Sequence, residues 1–176
     1  MIQLIDEKFS IKNDRFVLNI IQNDDVENVF ETMNDKTTAD SVSFLSWPMT
    51  REQSLKWVQT SISGVKNQNE FLFIAKEGKK NLGCVGIHLK DKNSAEIGYW
   101  ISKNYRGKGY ATDIANAAKS FAFKDLKINK LFATAELENT ASFRILEKLG
   151  FSYAGDLNVI LPDKTKRASR LYELYK

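Results

Sequence analysis

Cysteine and histidine are almost missing from this chain: its 176 residues hold one of each, Cys84 and His88. A lone cysteine excludes an intramolecular disulfide and a cysteine-cluster zinc site. A lone histidine excludes a metal site built on several imidazoles, and no metal is expected. Proline occurs twice, at Pro48 and Pro162, and neither starts a linker-like stretch; one domain over residues 1–176 is therefore expected. No apolar run approaches the roughly 18 residues of a membrane-spanning helix. The first residues, Met1 to Glu7, show neither a basic start nor a signal-type apolar stretch. A cytoplasmic protein that avoids membranes is the expectation.

A strong excess of one charge is missing as well. The 26 lysines and arginines against 22 acidic residues leave +4, with the signs interspersed. A nucleic-acid binder would show a basic stripe interleaved with aromatics. The densest basic stretch, Lys164, Lys166, Arg167 and Arg170, reads as a solvated strand end and turn, so no direct nucleic-acid recognition is expected. A small polyanionic ligand suits the charge balance. What is present is a globular composition, 43% hydrophobic and 27% charged. At this length folding buries roughly 70% of the unfolded chain's surface, enough for a full core.

Patterning gives the order of elements. Arg15 to Gln22 reads as a strand. Asp24-Asp25-Val26-Glu27 reads as a helix start with a carboxylate three residues on, and Val26, Val29, Phe30 and Met33 follow at helical spacing. A long loop is expected from about Asn34 to Met49, and Thr50-Arg51-Glu52-Gln53 is a second capping box before Leu55, Val58 and Ile62. Phe71 to Lys76 and Leu82 to Lys90 are strands joined by a turn around Gly78. A third strand, Ala95 to Ile101, sets Ala95, Ile97, Tyr99 and Ile101 on one face and Glu96, Gly98 and Trp100 on the other. A helix with Ile114, Ala118 and Phe121, a strand from Leu131 to Leu137, and a helix capped by Asn139 and stopped by Gly150 follow. Phe151 to Leu157 and Arg167 to Tyr175 close the chain as a hairpin. The expected class is α+β: a mixed, mostly antiparallel sheet of about seven strands flanked by about four helices.

The segment Arg106-Gly107-Lys108-Gly109-Tyr110-Ala111 carries the most chemistry. Its glycines allow a tight turn between strand and helix, and freed amides at the helix N-terminus favour an anion such as a phosphate. It is neither a dinucleotide fingerprint nor a Walker loop. On these residues alone, a plain glycine-rich turn and a phosphate cradle both stand.

Arg106-x-x-Gly109-x-Ala111 resembles the Arg/Gln-x-x-Gly-x-Gly/Ala signature of the Gcn5-related N-acetyltransferases (GNAT). Within them the chain is similar to the RimJ/RimL-type acetyltransferases of ribosomal-protein N-termini. Four pieces match in order: Phe44-Leu45-Ser46-Trp47-Pro48, Ala95 to Trp100, Tyr105 to Thr112, and Asn139-x-x-Ser142 leading to Leu146-Glu147-Lys148-Leu149-Gly150-Phe151. The resemblance implies a GNAT fold and acetyl-coenzyme A as donor. It places Tyr99, Trp100, Ile101, Arg106, Gly107, Lys108, Gly109, Tyr110, Ala111, Thr112, Asn139, Ser142 and Lys148 at the coenzyme. It also implies that the strand of Ala95 to Ile101 splays from that of Leu131 to Leu137, with the pantetheine arm between them.

Two residues are candidates for proton transfer. Glu96 could take the proton that an acceptor ammonium must lose before attacking a thioester; the alternative is an exposed strand glutamate paired with a lysine. Ser142 could protonate the departing thiolate; the alternative is ordinary first-turn chemistry beneath the Asn139 cap. Many GNAT enzymes carry a tyrosine where Leu146 stands, and this chain departs from that pattern. Phe44, Trp47 and Pro48 lie in the loop that walls the acceptor site in the family, and Asp35 and Asp40 are its acidic residues. His88 and Cys84 share one strand face and read as core or half-buried residues. The acceptor implied is a protein N-terminal α-amine, with a polyamine, amino sugar or aminoglycoside as the alternative. A non-catalytic acyl-coenzyme A-binding domain is a further alternative, and a basic ribosome- or RNA-binding module a weaker one. A monomer and a homodimer are equally compatible with the sequence.

Overall fold

The computed structural model describes residues 5–39, 42, 47–161 and 164–176. Asp40, Phe44, Leu45, Ser46 and Pro162 lie outside the described residues. The elements run β1 (Ser10–Lys12), β2 (Val17–Ile20), α1 (Val26–Met33), α2 (Lys36–Ala39), α3 (Arg51–Lys66), β3 (Glu70–Glu77), β4 (Lys80–Leu89), β5 (Ser94–Ile101), α4 (Tyr110–Lys124), β6 (Lys130–Glu136), α5 (Thr140–Lys148), β7 (Ser152–Ile160) and β8 (Lys166–Tyr175). Eight strands form one sheet in the order β1-β2-β3-β4-β5-β6-β8-β7, and β5 with β6 is its parallel pair. The α+β expectation holds, with one strand and one helix more than the sequence pattern suggested.

Both additions are short. β1 is a three-residue edge strand on β2, and α2 is a single turn inside the expected loop. The Asp35 carboxylate accepts from the Thr38 amide at 3.0 Å and so starts that turn. The start of α1 also differs from the expected cap. A short 3-10 turn occupies Asn23–Asp25, and the Asp25 carboxylate accepts from the Gln22 amide at 2.9 Å. Buried there, Asp25 meets Lys76 Nζ at 2.7 Å, so its charge is matched. The caps of α3 and α5 form as expected: Thr50 and Gln53 bond reciprocally, and Asn139 Oδ1 accepts from the Ser142 amide at 3.1 Å. Gly150 ends α5 at φ +92°, the left-handed stop that glycine favours.

The two sheet faces have separate covers. Phe121 of α4 meets Phe71 and Phe73 of β3 at ring distances of 5.6 and 5.2 Å. On the opposite face Trp57 of α3 meets Trp100 of β5 at 5.5 Å. Strand alternation puts Glu70 and Leu72, Gly86 and His88, and Glu96, Gly98 and Trp100 together on the α3 face. Cys84, on that same face, is fully buried, and burial pushes its thiol well above the usual range. Among the described residues no helix is long and apolar enough to cross a membrane.

Candidate active site

The site begins where the sheet comes apart. β5 pairs with β6 only from Ser94 to Glu96, through Lys130, Leu131 and Phe132. β5 then continues to Ile101 along β4, while β6 continues to Glu136 along β8. From Ile97 onward the β6-facing edge of β5 has no strand partner among the described residues. The divergence opens a passage through the sheet, so residues from both faces of β5 line one hollow. This inner cavity, about 450 Å³, takes Glu96 and Gly98 from one face and Ile97 and Tyr99 from the other. Trp57, Gly86, His88, Lys90 and Glu136 line it as well.

A second, outer cleft of about 550 Å³ runs from the glycine loop to α5. Its floor follows from the turn chemistry. Gly107 and Gly109 hold φ of +73° and +82°, a region costly for any residue with a Cβ. Gly109 caps α4 without a side chain, so the amides of Tyr110, Ala111 and Thr112 have no acceptor within the helix. They meet the positive end of the helix dipole at the cleft. A Cβ on Gly107 would meet nothing within 4 Å, so the backbone there is open to a ligand.

Side chains around the loop brace it. Arg106 Nε donates to the Ile101 carbonyl at 3.0 Å, and its terminal nitrogens donate to Thr37 and Thr38 hydroxyls of α2 at 2.7 and 2.6 Å. Arg106 therefore ties the loop to the α1–α3 connection. Lys108 Nζ donates to the Asn104 carbonyl at 2.9 Å. Tyr110 donates to Glu77 at 3.1 Å. Arg15 donates to the Lys108 carbonyl at 2.9 Å, pairs with Asp113 and lies 4.2 Å over the Tyr110 ring.

The two hollows share Tyr99, Trp100, Asn139 and Ser142. Tyr99 Oη and Trp100 Nε1 are buried without a hydrogen-bond partner among the described residues. Burial pushes the Tyr99 phenol up to about 12, with the neighbouring Ser142 pulling the other way. Asn139 spends its oxygen on the α5 cap, and the residue lines both hollows. Orphaned donors, open glycine backbone and uncommitted helix amides form the lining that a long ligand with an anionic group and amide carbonyls requires.

Of the residues singled out from sequence, Tyr99, Trp100, Ile101, Arg106, Gly107, Gly109, Tyr110, Ala111, Thr112, Asn139 and Ser142 come together on the outer cleft. Glu96 lies in the inner cavity, where Lys90 meets it at 2.8 Å. Lys108, whose ammonium turns to the Asn104 carbonyl, does not line the cleft, and Lys148 does not join them either. Lys148 is exposed in the last turn of α5 and lines neither hollow. Trp47 is half exposed. His88, Glu136, Trp57 and Arg15 were not singled out. His88 stands directly opposite Glu96 across β4 and β5, a juxtaposition the Asp91-Lys92-Asn93 turn signals. Arg15 is brought in from 93 residues away, beyond any local pattern.

Residues 15–152 match the acetyltransferase (GNAT) domain family. The N-acetyltransferase p20 of Bacillus licheniformis is 34% identical over 109 residues, covering 61% of this chain and 59% of that protein. The spermidine N(1)-acetyltransferase of Escherichia coli K12 is 33% identical over 97 residues, covering 53% of this chain and 51% of that one. Both matches span little more than half the length of those relatives. Among solved structures, RimL, a ribosomal L7/L12 α-N-protein acetyltransferase in complex with coenzyme A, superposes with a TM-score of 0.83 at 17% identity, over 95% of this chain and 98% of that one.

Proposed function

Starting from the fact that the chain belongs to the GNAT acetyltransferase family, we propose that it moves the acetyl group of acetyl-coenzyme A to a protein N-terminal α-amine. The donor's pyrophosphate lies on the amides of the Arg106–Thr112 segment, and its pantetheine arm runs along β5 toward Asn139. The amine enters from the inner cavity. The single observation that carries this reading is the junction of the two hollows at Tyr99, Trp100, Asn139 and Ser142. A thioester lying there is reachable from the acceptor side.

Glu96 receives the acceptor ammonium and promotes its deprotonation. The free amine attacks the thioester carbonyl directly in a ternary complex. Backbone amides of β5 around Gly98 and Tyr99, on the edge that β6 leaves unpaired, meet the oxyanion. Ser142 supplies the proton for the departing thiolate, and the Tyr99 hydroxyl stands beside it.

The charge of the inner cavity supports an acceptor with one positive charge. Among the described residues, the two carboxylates that line it already have cations: Glu96 has Lys90, and Glu136 has Arg167. A polyamine gains most from carboxylates that are not already neutralised. The similarity to a spermidine acetyltransferase favours the small-amine alternative. A competition decides: a peptide with a free N-terminus and spermidine at equal concentration, limiting enzyme, products read by mass spectrometry. Acetyl-peptide is the expected product, and predominant acetyl-spermidine would transfer the reading to small amines.

A further inference from the structure

His88 is the chain's one histidine, and it occupies the middle of a cross-strand row. The β3–β4 register sets Glu70 opposite His88, and the β4–β5 register sets Glu96 opposite it on the other side. All three side chains point to the α3 face. His88 Nδ1 lies 3.6 Å from a Glu70 oxygen, too far for a hydrogen bond but near enough to steady a charged imidazolium. The ring lies back over Gly86, where a Cβ would sit 2.7 Å from Nε2. Glycine at 86 therefore gives the ring its place, and both residues line the inner cavity. Glu96 is differently placed: one of its oxygens already accepts the Lys90 ammonium at 2.8 Å.

We infer that His88 is the catalytic base of the acetyl transfer, taking its proton from an acceptor ammonium that Glu96 holds beside it. This rests on the acetyltransferase reading above and assigns the proton within the same site. An acceptor ammonium carries three protons and the product amide keeps one. The first passes to the imidazole and from there to solvent. The nitrogen lone pair then forms the C–N bond at the thioester carbonyl. When the C–S bond breaks, Ser142 protonates the thiolate and takes the nitrogen's second proton in its place, so coenzyme A leaves as the thiol.

The groups facing the imidazole agree with this task. Burial is the main influence and holds its pKa below the usual histidine value; Lys90 adds to that and Glu96 opposes it. Glu70 faces it from β3, and burial raises that carboxyl, against a hydrogen bond from Ser61 of α3. Glu136 lies across the cavity on β6, paired with Arg167. Held below its usual value, the imidazole is unprotonated near pH 7 and able to accept a proton.

The test pairs kinetics with spectroscopy on the full chain. A single histidine makes its Cε1–H NMR signal unambiguous, so its titration is read directly in the wild-type protein. The kcat/KM for the acceptor, at saturating acetyl-coenzyme A, should rise with pH through an inflection that coincides with that titration. His88→Gln should lower kcat/KM at pH 7 on the order of 10²–10⁴-fold and abolish the inflection. Its rate should then climb toward the acceptor amine's own pKa, so that the deficit shrinks in alkali. His88→Asn should behave alike. A His88→Gln enzyme within a few fold of wild type, with the inflection intact, overturns the proposal. Should both variants fail to fold, the wild-type comparison decides: an inflection away from the imidazole titration overturns it as well. A wild-type protein that acetylates no amine removes the acetyltransferase reading itself, and this outcome is distinct from the other two.

Discussion

Placing valine at Gly109 separates the strain of the glycine loop from its chemistry. Gly109 sits at φ +82°, and a Cβ there would meet only Arg15 Nη1 at 3.5 Å, an ordinary contact. The cost to folding is therefore conformational, about 1–3 kcal/mol for a β-branched residue in the left-handed region. For a chain of this size that lowers the melting temperature by roughly 2–12 °C. Gly78 is the matched control: φ is +58°, a Cβ would meet nothing within 4 Å, and it lies in the β3–β4 turn away from both hollows. Gly78→Val should destabilise by a similar amount. Only Gly109→Val should lose coenzyme A, because the branched side chain stands where the diphosphate meets the amides. Losing two hydrogen bonds to a charged group, at about 1.5–3 kcal/mol each, removes about 3–6 kcal/mol, on the order of 10²–10⁴ in Kd. Calorimetry with coenzyme A and thermal melts of the three proteins are sufficient. A folded Gly109→Val protein with Kd within a few fold of wild type would refute the pyrophosphate assignment.

Glu96→Gln should cut kcat/KM for the acceptor by about 10–100-fold through loss of a charged partner, leave the KM for acetyl-coenzyme A within a few fold, and move the inflection of the pH profile. Glu96 raises the His88 pKa, so its removal should shift that inflection to lower pH; an unmoved inflection would uncouple the two. Asn139→Asp keeps an oxygen acceptor for the Ser142 amide and a favourable charge at a helix start, so its melting point should stay level. It removes the amide donor of a residue that lines the cleft, and coenzyme A affinity should fall by about 2–10-fold; unchanged affinity would take Asn139 out of the donor site. Tyr99→Phe deletes a buried hydroxyl that meets no hydrogen-bond partner at bonding geometry among the described residues, so a thermal melt should show no loss of stability, while acetyl transfer slows. The phenol's pKa of about 12 means it adds no inflection near neutral pH, in wild type or variant.

Much of this was visible in the residues because local chemistry decided it. The glycine loop, the Asn139 cap and the strand–helix order rest on neighbours a few positions apart. The three-residue β1 was missed because so short a strand carries no periodicity. α2 leaves one sign in the sequence, Asp35 ahead of Thr37 and Thr38, but a single turn carries no helical periodicity. His88 looked like a core strand residue because its importance comes from registers on both sides, with Glu70 and Glu96 brought beside it by pairing alone. Lys148 is placed by resemblance alone, and its side chain lines neither hollow. Arg15 illustrates the limit: its partners Lys108 and Asp113 lie 93 and 98 positions away, and only the assembled fold unites them.

The parting of β5 from β6 also gives the molecule a mechanical seam. Three register pairs join those strands, whereas seven join β4 to β5 and seven join β6 to β8. The chain is thus two well-knit panels, β1 to β5 and β6 with β8 and β7, sewn together over one short stretch. A thinly bonded seam belongs to the part of a structure that opens first in native-state hydrogen exchange. A donor lying between the panels would work as the missing stitches, slowing amide exchange on both banks of the gap together, far beyond the few groups it touches.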